Sequence, residues 1–264
     1  FTQTRMRFIR DKYAIDQIVL TFNTPNAESL KKFCEEHRQE VVDFLTHTEM
    51  NRLIKELQVH YSKVIYDLAW GEFACKLYAP KEIKAYKKGK QFFWASNNTA
   101  QGMVSICMYS YPYEGPETFN RQYVMAKRDS VMKENMPGEH PGMFMQTDTM
   151  HTDIKAINVH GKYAMEMRGL WLVKENKLEN LWDSMGGPFV SHSRVDTETN
   201  RVVVVEGFVY APEKMKRGLM RRLEGSLYTL QLPEEQYSFI DTGVEEEKAD
   251  SATAGGKTEQ KASM

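Results

Sequence analysis

The residues best suited to chemistry lie in two neighbouring stretches of β-branched and aromatic sequence, 189–195 and 202–210. A short polar turn joins them as an antiparallel hairpin, which sets Ser191 opposite Glu206 on one face. Glu206 is then a carboxylate among apolar side chains. A covered carboxylate needs a hydrogen-bonding partner or a raised pKa, and catalytic acids often have such a pKa. Glu206 is therefore the first residue to consider for catalysis or binding.

The hairpin carries two further polar residues, His192 and Arg194, on its opposite face. Because side chains alternate between the faces of a strand, Ser191, His192 and Glu206 cannot form a nucleophilic relay within this hairpin. We favour a structural polar pair or an exposed sheet face over a nucleophilic serine site, and a binding patch is the remaining alternative.

A separate predicted strand, 163–173, places Glu166 and Arg168 on one side. An ion pair along the strand is the simpler interpretation. Arg168 is also, with Ser191, a candidate hydrogen-bond donor to Glu206, because a buried carboxylate must be paired. The candidate polar cluster consists of Glu206, Ser191, Arg168, His192 and Arg194.

A second candidate site is the polar loop after Trp94, which contains amide side chains and ends in glycine. An aromatic ring beside amides suits a sugar or peptide cleft. Asn and Gly also build ordinary turns, and we favour that interpretation. The candidate ligand loop consists of Trp94, Asn97, Asn98 and Gln101.

No cofactor and no metal are predicted. The seven histidines show neither HExxH nor HxH spacing, and the glycines at 186–187 precede a strand rather than a helix, which does not suit phosphate binding. The three cysteines, Cys34, Cys75 and Cys107, lack CxxC spacing, so we expect buried, inert thiols.

The composition excludes several classes of protein. The 264 residues include 35 Lys and Arg against 36 Asp and Glu, and a chain of this length can bury a core without disulfides. The segment from Glu234 onwards carries a net charge of −5, which leaves +4 on the rest. A weakly basic body does not indicate nucleic-acid binding, and no apolar run is long enough for a transmembrane segment.

The fold class predicted for these elements is α+β. A strand at 17–23 precedes apolar residues at helical spacing from Asn26 to Gly71, which predicts one long N-terminal helix or a helix pair with a kink at 47–51. Short connections between the later strands, from about Glu72 to Tyr210, predict a largely antiparallel sheet.

Three predicted helices accompany the sheet. A short Lys-rich helix is expected at 81–88, and helices starting near Pro116 and Glu213 are expected to cover one face. The predicted domains are the end of an α/β segment at 1–70, apparently truncated at its N-terminus, an α+β domain at 71–233, and a disordered acidic tail at 234–264, which offers no apolar face.

Several strings resemble the domain of unknown function 4837 family, uncharacterised proteins of Bacteroidetes, over about residues 2–233. They are QTRMRF (3–8), EMNR (49–52), FFWASNNTAQG (92–102), YSYPY (109–113), KRDSVMKENMPG (127–138), GGPFVSHSRVD (186–196) and VVVVEGFVYAPEKMKR (202–217). The resemblance implies a cell-envelope lipoprotein with a lipid anchor in an N-terminal part that this chain, which begins with Phe1, lacks. No catalytic residues carry over.

Two function classes follow. The favoured one is a non-catalytic cell-envelope lipoprotein module that binds a partner or ligand. The alternative is a hydrolase-type enzyme with a cleft near Glu206, Ser191 and Arg168. We favour the first because no nucleophile–base or metal spacing occurs in the sequence.

Overall fold

The structure, a computed structural model, describes residues 1–99, 102–138, 140–173, 185–233 and 235–247. The chain divides into two compact units, residues 1–49 with 241–264 and residues 50–240. The sequence instead suggested boundaries at 70 and 233. The boundary between residues 49 and 50 lies inside one continuous helix, Arg38–Val59. This helix contains neither glycine nor proline, so its sequence does not indicate a boundary.

The smaller unit is built on a two-stranded antiparallel sheet, in which Phe8 faces Leu20 across the strands. Asn26 caps the following helix by accepting a hydrogen bond from the Ser29 backbone N–H. The rings of Phe8 and Phe44 pack with centroids 5.1 Å apart and are buried. The elements are β1 (Arg5–Arg10), β2 (Ile18–Asn23), α1 (Ala27–Glu36) and the start of α2 (Arg38–Val59).

The larger unit contains a seven-stranded sheet in the order β3-β4-β5-β9-β8-β7-β6, antiparallel throughout. The predicted α+β class with an antiparallel sheet is confirmed. The strands are β3 (Ala85–Gly89), β4 (Phe92–Ser96), β5 (Met103–Pro112), β6 (Met145–Val159), β7 (Lys162–Val173), β8 (Gly186–Asp196) and β9 (Arg201–Tyr210). Its helices are α3 (Lys63–Phe73), a 3₁₀ turn (Pro116–Phe119), α4 (Arg121–Asn135) and α5 (Arg217–Leu227).

Helices cover both faces of the large sheet, so the expectation that the helices near Pro116 and Glu213 share one face is wrong. On one face, α3 and α5 pack on a core that includes Val203 and Val205. On the other, α4 packs on a core that includes Val204 and Phe208. Both faces of β9 bury apolar residues, so the strand shows no solvent-facing side from which the helices could have been assigned.

The N-terminal helical region also differs from its prediction. It is three helices, with breaks at His37 and at residues 60–62 instead of a kink at 47–51. Tertiary contacts set the second break, because the backbone N–H of Ser62 donates to Ala79 O at 2.9 Å and its hydroxyl donates to Ile83 O.

Two local predictions in the next region are wrong for a similar reason. The strand expected from Glu72 is absent from this described range, since α3 continues to Phe73 and residues 74–80 make only isolated bridges. The Lys-rich helix expected at 81–88 is replaced by β3, whose pairing with β4 overrides the local helical preference.

The described part of the acidic tail is ordered. Residues 235–247 make specific contacts, such as the hydrogen bond from the Ile240 backbone N–H to Asn51 Oδ1 in the larger unit. In the smaller unit, the N–H and C=O of Phe8 bond to Glu245 O and Glu247 N. These backbone bonds require no apolar side chain, which is why composition did not reveal them. Residues 248–264 lie outside the described ranges.

The contact between α5 and the sheet can be tested at Gly207. A Cβ added there would lie 2.8 Å from Leu223 Cβ, whereas a Cβ at Gly218 of α5 would meet nothing within 4 Å. We expect Gly207→Ala to lower the free energy of unfolding by about 1–3 kcal/mol through overpacking. The matched change Gly218→Ala should raise it by up to about 1 kcal/mol. Urea denaturation measures both, and equal effects would contradict this packing.

Candidate functional site

Glu206 is fully buried, and its partner is Arg128 of α4, which is equally buried. The two side chains form a bidentate pair, with Arg128 Nε 2.8 Å from Glu206 Oε2 and Nη2 2.7 Å from Oε1. Parallel N–H···O bonds of this kind are among the strongest in proteins. The buried carboxylate therefore has both oxygens engaged by a cation.

The Arg128 guanidinium makes further contacts through its remaining nitrogen and its face. Its Nη1 donates to Thr147 Oγ1 at 2.9 Å, and that hydroxyl donates to Asp129 Oδ1 at 2.7 Å. The guanidinium carbon lies 4.1 Å from the ring centre of Phe189, a cation–π contact. The network thus joins α4, β6, β8 and β9 on one face of the sheet.

The electrostatics of this network suit a structural role. Burial raises the pKa of Glu206, and the charge and hydrogen bonds of Arg128 oppose that rise. Cys107, directly opposite Glu206 on β5, has its pKa raised well above the usual value, by burial and then by the Glu206 charge. A thiol held protonated is a poor nucleophile.

The structure does not assemble the predicted cleft of Glu206, Ser191 and Arg168. Ser191 does face Glu206 across the hairpin, in the predicted register, but neither residue hydrogen-bonds to the other in the described structure. Arg168 pairs with Val190, so it lies on the opposite face of the sheet. The donor to Glu206 is therefore Arg128, and the proposal of Ser191 or Arg168 as that donor is wrong.

Arg168 and His192 instead belong to a polar group on the α5 side of the sheet. Glu166 is at its centre, with His192 Nε2 at 3.5 Å, Arg168 Nη2 at 3.3 Å and Lys155 Nζ at 3.5 Å from its carboxylate. Arg168 also contacts Glu224 of α5. We call these five residues the Glu166 cluster.

Glu166 is buried, and the charges around it decide its protonation. Burial would raise its pKa, but the nearby His192 ring and the charge and hydrogen bonds of Arg168 outweigh burial and lower it to about 2. The Tyr228 ring packs edge-on against His192 with centroids 4.8 Å apart. The cluster is thus a carboxylate held ionised by its neighbours, which is unsuited to donating a proton near neutral pH.

Arg194, the last of the predicted cluster, is on the same face and has a different partner. Its guanidinium contacts both Glu235 oxygens and donates to Leu230 O at 3.0 Å. It therefore fastens the segment after α5. The five predicted residues fall into three groups, Glu206 with Ser191, Arg168 with His192, and Arg194 alone.

The predicted ligand loop is closed by its own amides. Asn97 Oδ1 accepts from the Val104 backbone N–H at 3.1 Å, and Asn97 Nδ2 donates to Gly102 O at 3.3 Å. Asn98 has φ +50°, as turns often require. Trp94 is half-buried against the α4-side core. Gln101 lies outside the described residues.

Cysteine and metal chemistry can be assessed only for the described part of the chain. Cys75 and Cys107 are buried as predicted, but Cys34 is exposed on α1, which buries no residue. Within the described ranges, no group of three or more His, Cys, Asp or Glu is placed to hold a metal ion. Over the same ranges, no helix combines the length and apolar character needed to cross a bilayer.

Sequence reasoning missed Arg128, although a signal for it exists. Val124, Arg128 and Met132 recur every four residues on the buried stripe of α4. An arginine inside an apolar helical stripe implies a buried acidic partner, and Glu206 is an acid inside an apolar strand. Matching these two anomalies would have identified the pair.

The larger unit, which contains both polar groups, includes the part of the chain that matches one known family. The family model described as domain of unknown function 4837 matches residues 68–229. The chain belongs to the domain of unknown function 4837 family. The match begins at residue 68, not at residue 2 as the sequence strings suggested. A second model, domain of unknown function 8532, matches residues 1–58.

Solved structures similar to this family member include two of the protein Mog1. A point mutant of Mog1 has a TM-score of 0.40, and the Ran-binding protein Mog1p of Saccharomyces cerevisiae has 0.39. Both are 9% identical and cover 60% of this chain and 90% of their own. No curated protein matches the chain.

The Arg128–Glu206 pair gives a test of its structural role. We expect Arg128→Met to lower the free energy of unfolding by about 3–5 kcal/mol, because it leaves an unpaired buried carboxylate. Glu206→Gln should also cost about 3–5 kcal/mol, because the amide leaves the buried Arg128 charge without a counter-charge. The double change Arg128→Met with Glu206→Leu should recover most of the loss. Urea denaturation provides the measurement.

The control for this series is the exposed pair Arg222–Glu82, at 2.6 Å. Arg222→Met should cost less than about 1 kcal/mol, because water screens surface ion pairs. If the double variant Arg128→Met with Glu206→Leu is as unstable as Arg128→Met alone, side-chain packing rather than charge pairing holds α4 on the sheet.

The Glu166 cluster predicts a specific acid sensitivity. The pKa of Glu166 is lowered from 4.5 to about 2, so its stabilising contribution is present above about pH 4.5 and is lost as the pH falls towards 2. Compared with Glu166→Gln, the unchanged protein should lose about 2 kcal/mol more stability between about pH 6 and pH 3. Urea melts at several pH values measure this difference. If the free energies of unfolding of the two proteins fall equally between about pH 6 and pH 3, the prediction is wrong.

Proposed function

We propose that the chain is a non-catalytic cell-envelope lipoprotein module that binds a partner or ligand through the α5-side surface of β6 and β7. The observation that carries the non-catalytic part is the bidentate Arg128–Glu206 pair. The only fully buried carboxylate of the predicted polar cluster is committed to a structural cation. Its serine neighbour has no base within hydrogen-bonding distance in the described structure.

The binding part is supported by the state of Arg168. Its side chain is 43% exposed, and its Nε and Nη2 are held by Glu166 and Glu224. The third nitrogen, Nη1, has no partner among the described residues. An arginine already fixed by two carboxylates loses little conformational entropy on binding, and such residues often dominate interfaces.

An apolar residue lies beside this arginine. Leu170 is two residues further along β7, on the same face, and is 41% exposed. Lys155 is opposite Glu166 on β6 and extends the surface with a flexible cation. A fixed guanidinium next to an apolar side chain suits a polypeptide or ligand that presents both an acceptor group and an apolar group.

The cell-envelope part of the proposal rests on the family resemblance and on nothing in the geometry. It predicts that the full-length protein carries a lipid and fractionates with membranes. Metabolic labelling with a fatty-acid analogue checks this, and an unlabelled protein found wholly in the soluble fraction would contradict it.

Photo-crosslinking tests the binding surface. A benzophenone amino acid at Leu170 of the full-length protein should crosslink to one defined partner in intact cells, and Arg168→Gln should abolish that crosslink. The same probe at Tyr86, which is exposed on the edge strand β3, is the matched control and should not capture that partner.

The outcomes separate the two function classes. Capture at both positions, or capture that is indifferent to Arg168→Gln, would contradict the proposed surface. Turnover of an ester or peptide substrate that Ser191→Ala abolishes would contradict the non-catalytic part and favour the hydrolase alternative.

A further inference from the structure

In the part of the chain that the structure describes, the small sheet uses one of its two edges. On the outer side of β1, the N–H and C=O of Phe8 bond to Glu245 O and Glu247 N, so the segment 245–247 acts as a short third strand. The outer edge of β2 has no such neighbour among the described residues. Over the described ranges, the sheet therefore offers one unpaired row of backbone donors and acceptors.

The register identifies which groups form this row. Antiparallel pairs alternate between those that exchange hydrogen bonds and those that do not. Phe8 bonds outward, so its opposite residue, Leu20, also points its N–H and C=O away from β1. By the same alternation, Ile18 and Phe22 point outward as well. Three donor and acceptor pairs are thus spaced along one edge.

This edge lacks the protection that the other sheet edges have. In the large sheet, the edge strand β3 carries Lys87 and Lys88, and the other edge strand, β6, has a bulge between Thr147 and Thr152. Charges and bulges are the usual means of preventing edge-to-edge pairing. The sequence of β2, Ile-Val-Leu-Thr-Phe-Asn, has no charge, proline or bulge, and each residue is half-buried.

We propose that the β2 edge pairs with β2 of a second copy of this chain, so that β1 and β2 of both copies form one continuous sheet across a twofold axis. Pairing the outward groups with one another sets Leu20 opposite Leu20 of the second copy, and Ile18 opposite Phe22 of the second copy. No like charges meet, because the strand has none. The strand is therefore complementary to itself.

The surroundings of β2 also favour this occupant. Two full strands with one short third segment are close to the minimum for a stable sheet, because two-stranded sheets are marginally stable and three or more strands are normally needed. Helix α1 follows β2 directly and buries none of its residues, although Phe33 lies 6.2 Å from Phe22 between ring centres. Doubling the sheet would extend its apolar surface next to this helix.

Register-specific disulfides test the proposal in the full chain. In a Cys34→Ser background, which removes the exposed thiol, Leu20→Cys should form a covalent dimer under mild oxidation. Directly opposite residues in such a pair lie about 5.5 Å apart at Cα, within the reach of a disulfide. Thr21→Cys is the control, because its opposite residue is Val19 of the second copy. Its crosslinked fraction should be at least about fivefold lower.

Sedimentation of the background protein supplies the independent measurement, and circular dichroism checks that each variant is folded. A dimer together with selective Leu20→Cys crosslinking supports the proposal. A monomer throughout the micromolar range overturns the second copy as occupant. A dimer whose crosslinking is equal at both positions overturns the β2 edge as its interface.

Discussion

The bidentate pair between Arg128 and Glu206 is the interaction on which the α4 side of the larger unit depends. The pair links the middle of α4 to the central strand of the sheet and, through Thr147, to the edge strand β6. Both charges are fully buried, so removing either one exposes the cost of the other. Apolar packing alone could hold a helix on this face. The ion pair restricts where along the sheet that helix can lie.

The opposite face is organised by a different balance. There the buried Glu166 lies within reach of three cationic or titratable groups, and Arg168 extends from it towards solvent. The two faces therefore use similar residue types differently. The Arg128–Glu206 pair is fully buried, whereas the Glu166 cluster reaches solvent through Arg168. This contrast explains why residues that look like a single cluster in the sequence have separate roles in the structure.

Sequence reasoning recovered those parts of the fold that depend on short-range pattern. The β8–β9 hairpin has the predicted register, with Ser191 opposite Glu206, because strand alternation and turn length fix it locally. The break at residues 60–62 was missed because the backbone bond from Ser62 to Ala79 that accompanies it is long-range. The partner of Glu206 was missed because Arg128 is 78 residues away and the intervening chain gives no distance information.

The position of β9 in the sheet has a consequence for synthesis of the protein. β9 is the last strand of the large sheet along the chain, yet it lies at the centre, with β5 on one side and β8 on the other. The strands β3–β5 and β6–β8 are each continuous antiparallel ribbons that share no hydrogen-bonded edge until β9 is available. Until residues 201–210 are synthesised, β5 and β8 therefore each have one edge without a hydrogen-bonded partner strand. A nascent chain that stalls before this strand has two unfinished half-sheets, and such unpaired strand edges are prone to aggregation.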